Sequence, residues 1–241
     1  MTFLILANFK SHKLASEAKK WLEIVSAHPF LSEVEVSVAP SHIHLELFSD
    51  KLAHRQPDVQ TRRSTDSPDI SLAAQDVSPF PVGSYTGAVN ASQLVDLDIK
   101  YCLVGHSERR RYFHETPSDV AAKVRQLLDV GITPIICLST EDITPQFAAL
   151  DDSLRARCLF CYEPPGDIGG TESAAPEDIK KVTDRIHSYA PTHPVMYGGS
   201  VNEQNVAALR LLGLGGVLVA TACLDPKQFI ATIEAYIHGK G

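Results

Sequence analysis

The sequence has few of the features that mark secreted, nucleic-acid-binding or membrane-spanning proteins. Its five cysteines are odd in number and scattered, which argues against a disulfide framework. No run is rich in lysine and arginine and the net charge is −7, so nucleic acid is not expected as a partner. No segment approaches the roughly 18 apolar residues of a membrane-spanning helix. We therefore expect a cytoplasmic protein that binds neither nucleic acid nor membrane.

A glycine-rich nucleotide-binding fingerprint is also missing. A doubly wound open sheet normally carries one after its first strand, yet ANFKSHK at 7–13 contains no glycine. Cys158 and Cys161 have the spacing of a redox or zinc pair, but RCLFCYE is typical of a strand, on which side chains three apart point to opposite faces. We interpret both as small buried residues. His42 and His44 have no third ligand in view, so we expect no metal there.

Eight short apolar runs recur along the 241 residues, and helical patterns separate most of them. Such continuous runs are typical of strands covered on both faces. They span 3–8, 34–39, 70–75, 101–105, 133–138, 158–163, 194–197 and 216–220. Eight alternations of strand and helix predict an α/β fold, a closed (β/α)8 barrel of parallel strands, with an open doubly wound sheet as the alternative. We predict one domain over 1–241, because neither the polar excursion at 55–69 nor the brief segment 139–157 resembles a boundary.

Two helices have clear start signals. Thr116 suits an N-cap, with Pro117 at the first helical position and Asp119 at the third. Asp225 precedes a proline in the same way before the last helix, and Gln228 is placed to close a capping box with it. Both helices therefore begin where the periodic apolar pattern begins.

Residues that could take part in catalysis or binding follow the ends of several predicted strands. In an α/β barrel, catalytic groups lie at the ends of the strands, on the face built by the βα loops. The polar and small residues found there are Asn8, Lys10, His106, Ser107, Glu108, Glu163, Ser200, Ala220 and Thr221. A base, a hydrogen-bond donor, a cation and a glycine-rich anion cradle thus fall on one rim. Packing alone would not produce this convergence.

Five segments resemble, in order and spacing, signature segments of the triosephosphate isomerase family. They are ANFK, AAQDVSPFPVGSYTG, VGHSERR, CYEP with a later IGG, and YGGSVNEQN. The likeness covers nearly the whole chain, and GHSERR is highly specific. It implies a glycolytic and gluconeogenic isomerase that interconverts glyceraldehyde 3-phosphate and dihydroxyacetone phosphate with no metal or organic cofactor.

The resemblance also implies roles for the catalytic side chains. Glu163 would move a proton between adjacent carbons, since its two oxygens can reach both. A neutral His106 at a helix N-terminus would donate a hydrogen bond to the carbonyl as charge develops. Lys10 would offset the negative charge of enediolate and phosphate. Asn8 would help to hold Lys10 and the substrate, and Glu108 would support the site.

Binding of the phosphate would use backbone N–H groups. The candidates are Gly169 in the sixth loop, Ser200 after the seventh strand, and the turn Ala220–Thr221 after the eighth. Ser107, beside His106, would have a supporting place. Arg109 and Arg110 are expected to form an ion-paired framework around the rim.

The sixth loop and the end of the eighth strand depart from the family pattern. The sixth loop usually opens Pro-Val-Trp, whereas this chain has Pro164-Pro165-Gly166. Pro165 stiffens the hinge of this lid and Gly166 loosens it, so the changes act in opposite directions. The eighth strand usually ends in Gly-Gly, and Ala220-Thr221 stand here. A β-branched residue narrows the approach of a phosphate, so weaker substrate binding is expected.

The third loop predicts an oligomeric state, and the changed sixth and eighth loops leave alternative functions open. Tyr85 and Thr86 resemble the tip of the finger that the family inserts into a second subunit, which implies a homodimer. Two other functions stay open: a phosphate-binding barrel weakened in catalysis, and an isomerase of another small sugar phosphate. Retention of all four of Asn8, Lys10, His106 and Glu163 favours the triose phosphate isomerase, and the loops after strands five to eight are trimmed rather than enlarged.

Overall fold

Eight parallel strands close into a barrel in chain order in the computed structural model, which describes residues 2–29, 34–53, 70–165 and 173–239. The strands are β1 Phe3–Asn8, β2 Val34–Ala39, β3 Ile70–Ala74, β4 Ile99–Val104, β5 Thr133–Leu138, β6 Leu159–Tyr162, β7 Val195–Tyr197 and β8 Gly216–Val219. β1 pairs with both β2 and β8, which closes the ring. The predicted (β/α)8 barrel is confirmed, and the open-sheet alternative is wrong.

The predicted strand ends differ from the observed ones by up to two residues. β4 begins at Ile99, earlier than the expected 101, and it ends at Val104. The chain leaves the sheet there because Gly105 has φ +68°, a conformation that glycine adopts without steric cost. Cys158 lies just before β6 rather than within it. The polar excursion 55–69 falls outside the described residues.

Helices surround the barrel. They are α1 Ala15–Ser26, α2 Leu45–Ala53, α3 Ala91–Asp96, α4 Ser107–Tyr112, α5 Pro117–Asp129, α6 Ile143–Ala149, α7 Asp152–Arg155, α8 Pro176–Tyr189, α9 Val206–Arg210 and α10 Pro226–His238. Short 3₁₀ turns occupy His42–His44 and Thr221–Leu224. Within the described ranges, no helix has the length and apolar character needed to cross a bilayer.

The helix start signals are confirmed with one exception. Thr116 and Asp119 form a capping box at the start of α5. Asp225 caps α10 by accepting a hydrogen bond from the Lys227 N–H at 2.7 Å. The expected box from Gln228 is wrong, because that side chain lines the central cavity instead of returning to the cap.

Apolar side chains pack in two layers, one inside the barrel and one between strands and helices. Cys161 belongs to the interior layer and Cys158 to the outer layer, so the two sulfurs diverge as expected. All five cysteines are buried and free. Burial raises the pKa of the Cys158 and Cys223 thiols to about 12, which leaves them protonated at neutral pH. The interpretation of small buried cysteines is therefore confirmed.

Candidate active site

A cavity of about 230 Å³ opens at the carboxyl ends of the strands. Among its lining residues are Lys10, His106, Glu163, Ser200, Ala220 and Thr221. Six residues from five strands, scattered along the sequence, therefore meet at one cavity. Gly169 lies outside the described residues.

Glu163 follows β6 and is only 2% exposed. Its Oε2 accepts a hydrogen bond from the Ser107 N–H at 2.9 Å. Its Oε1 lies 3.1 Å from His106 Nε2, but the geometry does not make this a hydrogen bond, and Oε1 is buried without a hydrogen-bond partner among the described residues. One oxygen is thus anchored, and the other is available to take a proton.

His106 caps the start of α4. Its Nδ1 accepts a hydrogen bond from the Glu108 N–H at 3.2 Å. A neutral imidazole has one donor and one acceptor nitrogen, so this bond assigns the proton to Nε2. The backbone of α4 therefore orients the ring with a donor toward Glu163 and the cavity.

Lys10 has a backbone φ of +51°, which is uncommon for a residue with a Cβ. Three neighbours hold this conformation: Asn8 Oδ1 accepts from the Lys10 N–H at 3.0 Å, and Ser41 Oγ and Gln75 Nε2 donate to its carbonyl at 3.1 and 2.9 Å. The ammonium lies 2.7 Å from Glu108 Oε1. Asn8 and Glu108 are not among the residues that line the cavity, but Asn8 binds the backbone of Lys10 and Glu108 binds its ammonium.

Close backbone packing defines the side of the cavity after β7. A Cβ on Gly198 would lie 2.8 Å from the Cys161 sulfur and 3.3 Å from Glu163 Cγ, so glycine is needed for this approach. Tyr197 accepts a hydrogen bond from the Ala174 N–H at 2.9 Å through its hydroxyl. Ala174 follows the undescribed part of the sixth loop, so Tyr197 ties the end of that loop to the barrel.

A cluster of four charged side chains lies behind His106, of which Glu115 and Lys123 are buried and Asp76 and Arg109 are partly exposed. Asp76 contacts Arg109 Nη2 at 2.7 Å and Lys123 Nζ at 2.6 Å, and Glu115 Oε2 contacts Arg109 Nε at 2.7 Å and Lys123 at 3.1 Å. Burial raises the pKa of the Asp76 carboxyl, while Lys123 and Arg109 act to lower it. Desolvation therefore offsets part of the attraction in this cluster.

The family model described as triosephosphate isomerase matches residues 3–236. The chain belongs to the triosephosphate isomerase family. A triosephosphate isomerase of Thermus thermophilus is 34% identical, with 96% of this chain and 97% of that protein aligned. One from Mycoplasma pneumoniae is 29% identical over 98% and 99%. One from Legionella pneumophila is 36% identical over 68% and 76%.

In this member of the triosephosphate isomerase family, the two arginines of GHSERR hold neighbouring elements together. Arg109 joins the cluster of four charged side chains, and Arg110 donates to the Gly105 carbonyl at 2.7 Å and to Gln146 Oε1 at 2.9 Å. The expected ion-paired framework around the rim is present. Neither arginine is among the residues that line the cavity.

Three contributors had no assigned role in the sequence analysis. Gln75 and Asp76 stand within AAQDVSPFPVGSYTG, and Tyr197 directly precedes the two glycines of YGGSVNEQN. Each ends a strand or follows one, and this position at the rim was the sequence signal that could have identified them.

His42 and His44 do not form a metal site with a third ligand among the described residues. His42 Nε2 lies 2.8 Å from the Asp76 carbonyl, and His44 is buried. Within the ranges that the structure describes, no group of three or more His, Cys, Asp or Glu side chains is placed to hold a metal.

Proposed function

We propose that this chain interconverts glyceraldehyde 3-phosphate and dihydroxyacetone phosphate by proton transfer through an enediolate, without a cofactor. One observation carries the proposal: in a single cavity, the unpartnered Glu163 Oε1 lies 3.1 Å from His106 Nε2, and Lys10 lines the same cavity. The base serves proton transfer between the two carbons, and the hydrogen-bond donor and the cation stabilise the negative charge that develops on oxygen. Family membership and the curated relatives support the same activity.

Proton transfer is assigned to Glu163. Its Oε1 would remove a proton from one carbon of the bound triose phosphate and return it to the neighbouring carbon. Oε2 stays hydrogen-bonded to the Ser107 N–H, so the carboxylate is held while the other oxygen reacts. A positioned general base of this kind contributes about 10²–10⁴-fold to the rate.

His106 and Lys10 would stabilise the charge that develops on the substrate oxygens. The His106 Nε2–H donates to the carbonyl oxygen as it becomes an enediolate oxygen, while Nδ1 stays bonded to the backbone of α4. The hydroxyl proton of the neighbouring carbon then passes to this oxygen by way of His106 Nε2, so the second oxygen becomes the carbonyl when Glu163 returns its proton to carbon. The Lys10 ammonium adds a positive charge in a chain of net charge −7. Donors that are fixed before reaction stabilise such a transition state without reorganising.

Phosphate binding is assigned to the opposite wall of the cavity. Ser200, Ala220 and Thr221 line it, at the carboxyl ends of β7 and β8. Gly169 remains a proposed fourth contributor. A cavity of about 230 Å³ suits a small substrate, since sites for drug-sized ligands are typically about 300–1,000 Å³. No finding favours a catalytically weakened binding protein or an isomerase of another sugar phosphate.

A homodimer is proposed from the loops after β1 to β4. Large apolar side chains are exposed there: Leu14, Ile43, Phe80, Val82, Tyr85, Tyr112 and Phe113. Phe80 and Tyr85 stack with ring centroids 4.5 Å apart, so the Tyr85–Thr86 loop presents an ordered apolar surface. Exposed apolar patches of this kind mark interaction sites. Sedimentation should give a dimer mass, and a fully active monomer would contradict the proposal.

A single domain over 1–241 and a cytoplasmic location stay predictions.

The activity is tested by measuring interconversion of the two triose phosphates with a coupled assay, for the native chain and for Glu163→Gln. We expect turnover by the native chain and a loss of about 10²–10⁴-fold in kcat for the variant. Glu177→Gln, an exposed carboxylate in the first turn of α8, is the matched control and should keep native activity. A native chain without turnover, or a fully active Glu163→Gln, would overturn the proposal.

A further inference from the structure

Asp76 is a largely buried carboxylate that no step above uses. It follows β3, and its side chain is 14% exposed. Its two oxygens contact different cations, Arg109 at 2.7 Å and Lys123 at 2.6 Å. Arg109 belongs to α4, the helix that begins at His106, and Lys123 belongs to α5. Asp76 therefore connects strand β3 to both helices that follow β4.

The cluster around Asp76 encloses the turn that carries His106. Glu115 Oε1 accepts a hydrogen bond from the Gly105 N–H at 3.2 Å, one residue before His106. Glu115 Oε2 contacts Arg109 Nε and Lys123, the two cations that Asp76 also contacts. The Arg109 N–H in turn donates to the His106 carbonyl at 2.8 Å. The backbone on both sides of His106 is thus attached to this cluster.

Gln75, the residue before Asp76, contacts the other half of the charge-stabilising pair. Its side-chain amide donates to the Lys10 carbonyl at 2.9 Å and to the Ala39 carbonyl at 2.9 Å. Lys10 needs such support because of its positive φ. Two consecutive residues at the end of β3 therefore hold Lys10 on one side and the His106 turn on the other.

Charge balance gives Asp76 its specific effect. The cluster contains two cations and two carboxylates, and Lys123 and Glu115 are only 5% and 3% exposed. Without Asp76, Glu115 alone would face both Arg109 and Lys123 in a buried site. A buried charge that loses its partner moves toward solvent or recruits another partner. The carboxylate that would move is that of Glu115, and its movement would alter the hydrogen bond that it accepts from the Gly105 N–H.

From this arrangement we propose that Asp76 is a positioning residue, which fixes the His106 turn relative to Lys10 by holding Arg109 and Lys123 in place. This inference rests on the proposed isomerase activity. A carboxylate suits this position because its two oxygens contact Arg109 and Lys123 separately, and because its charge, with that of Glu115, balances the two cations. The phosphate-binding wall after β7 and β8 does not contact the cluster, so Asp76 should affect chemistry more than substrate binding.

The test compares Asp76→Asn and Asp76→Glu with the native chain. Asp76→Asn keeps the shape and removes the charge, and it should lower kcat by about 10- to 100-fold, with KM within about twofold. Asp76→Glu keeps the charge and should restore part of kcat. Glu35→Gln is the matched control: it removes a carboxylate that contacts Lys100 at 2.7 Å at the opposite end of the barrel, and it should keep native kcat.

Two ligands separate positioning from general stability. Phosphoglycolate carries a carboxylate that mimics the charge of an enediolate, whereas inorganic phosphate would contact only the proposed phosphate wall. Asp76→Asn should weaken phosphoglycolate binding by about the factor lost in kcat and leave phosphate binding unchanged. A native kcat in folded Asp76→Asn, with only a lower melting temperature, would overturn the inference. If Asp76→Asn does not fold, Arg109→Lys takes its place, because a lysine keeps the charge but cannot contact Asp76 and Glu115 through two separate nitrogens; a native kcat in that variant overturns the inference equally. An inactive native chain would instead reject the isomerase activity itself.

Discussion

The two halves of the barrel rim hold their residues by different means. After β1 to β4, ion pairs between side chains hold the site residues. Lys10 contacts Glu108, and a cluster of four charged residues lies behind His106, namely Asp76, Arg109, Glu115 and Lys123. After β6 to β8, backbone packing dominates, with Gly198 and Gly199 pressed against side chains of β6, β7 and the hinge of the sixth loop. The ion pair on α8, Lys180 to Asp184, is 67% and 59% exposed.

This difference follows the tasks proposed for each half. A hydrogen-bond donor and a cation stabilise developing charge best when they are fixed in advance, and ion pairs that are shielded from solvent in part and carry several hydrogen bonds provide that rigidity. The other half must admit a phosphate to backbone groups, which small residues permit. The apolar surface proposed for the dimer lies on the ion-paired half, where a partner would shield the cluster further from water.

The largest expected effect is the loss of a cation from the cluster of four charged residues. Lys123→Met should lower the free energy of unfolding by about 3–5 kcal/mol, because Asp76 and Glu115 would then share one arginine in a buried site. Chemical denaturation monitored by circular dichroism measures this. Lys180→Met on the other half removes an exposed pair and should cost about 0–1 kcal/mol. Equal costs for the two variants would show that the halves do not differ in this respect.

The features that the sequence predicted well depend on local pattern and on the topology of parallel strands. The barrel follows from eight apolar runs, and strand order needed no further information. Lys10, His106, Ser200 and Glu163 are found at one cavity because parallel strands bring their carboxyl ends to one rim. The helix start at Thr116 follows from local chemistry, and the structure confirms it.

Long-range side-chain partners could not be predicted in the same way. Asp76 and Lys123 are separated by 47 positions, and nothing in either local pattern names the other as its partner. Gln228 suited a capping box by spacing, yet its side chain lines the cavity instead. The catalytic roles of the site residues stay predictions, and Gly169 lies outside the described residues.

A smaller effect is expected where backbone packing dominates. A Cβ at Gly199 would overlap the Tyr197 hydroxyl and lie 3.0 Å from Pro164 Cγ, so Gly199→Ala must displace Tyr197, which binds Ala174 at the end of the sixth loop, and crowd Pro164 at the hinge where that loop begins. We expect a loss of about 1–3 kcal/mol in unfolding free energy, together with a lower kcat/KM. Gly131→Ala, after α5, meets no atom within 4 Å but has φ +84°, so it should cost about 1 kcal/mol by strain alone.

Activity separates these two glycine variants. Because Gly131 lies at the amino-terminal side of β5, its substitution should leave kcat/KM at the native value measured below the melting temperature. A native kcat/KM for Gly199→Ala would mean that the hinge tolerates the displacement. The backbone-packed half would then be less demanding than the ion-paired half.

The smallest expected effect concerns the family departure at Thr221, which lines the cavity and is exposed. Thr221→Ser keeps the hydroxyl and removes the β-branch, so a phosphate should approach the adjacent N–H groups more closely. We expect KM to fall by about two- to fivefold, a change of less than ~1 kcal/mol, with kcat unchanged. Steady-state kinetics in both directions measure this. Because the ion-paired half is untouched, a change in kcat rather than KM would mean that the two halves are coupled through the substrate. An unchanged KM would mean that the β-branch of Thr221 does not limit phosphate binding.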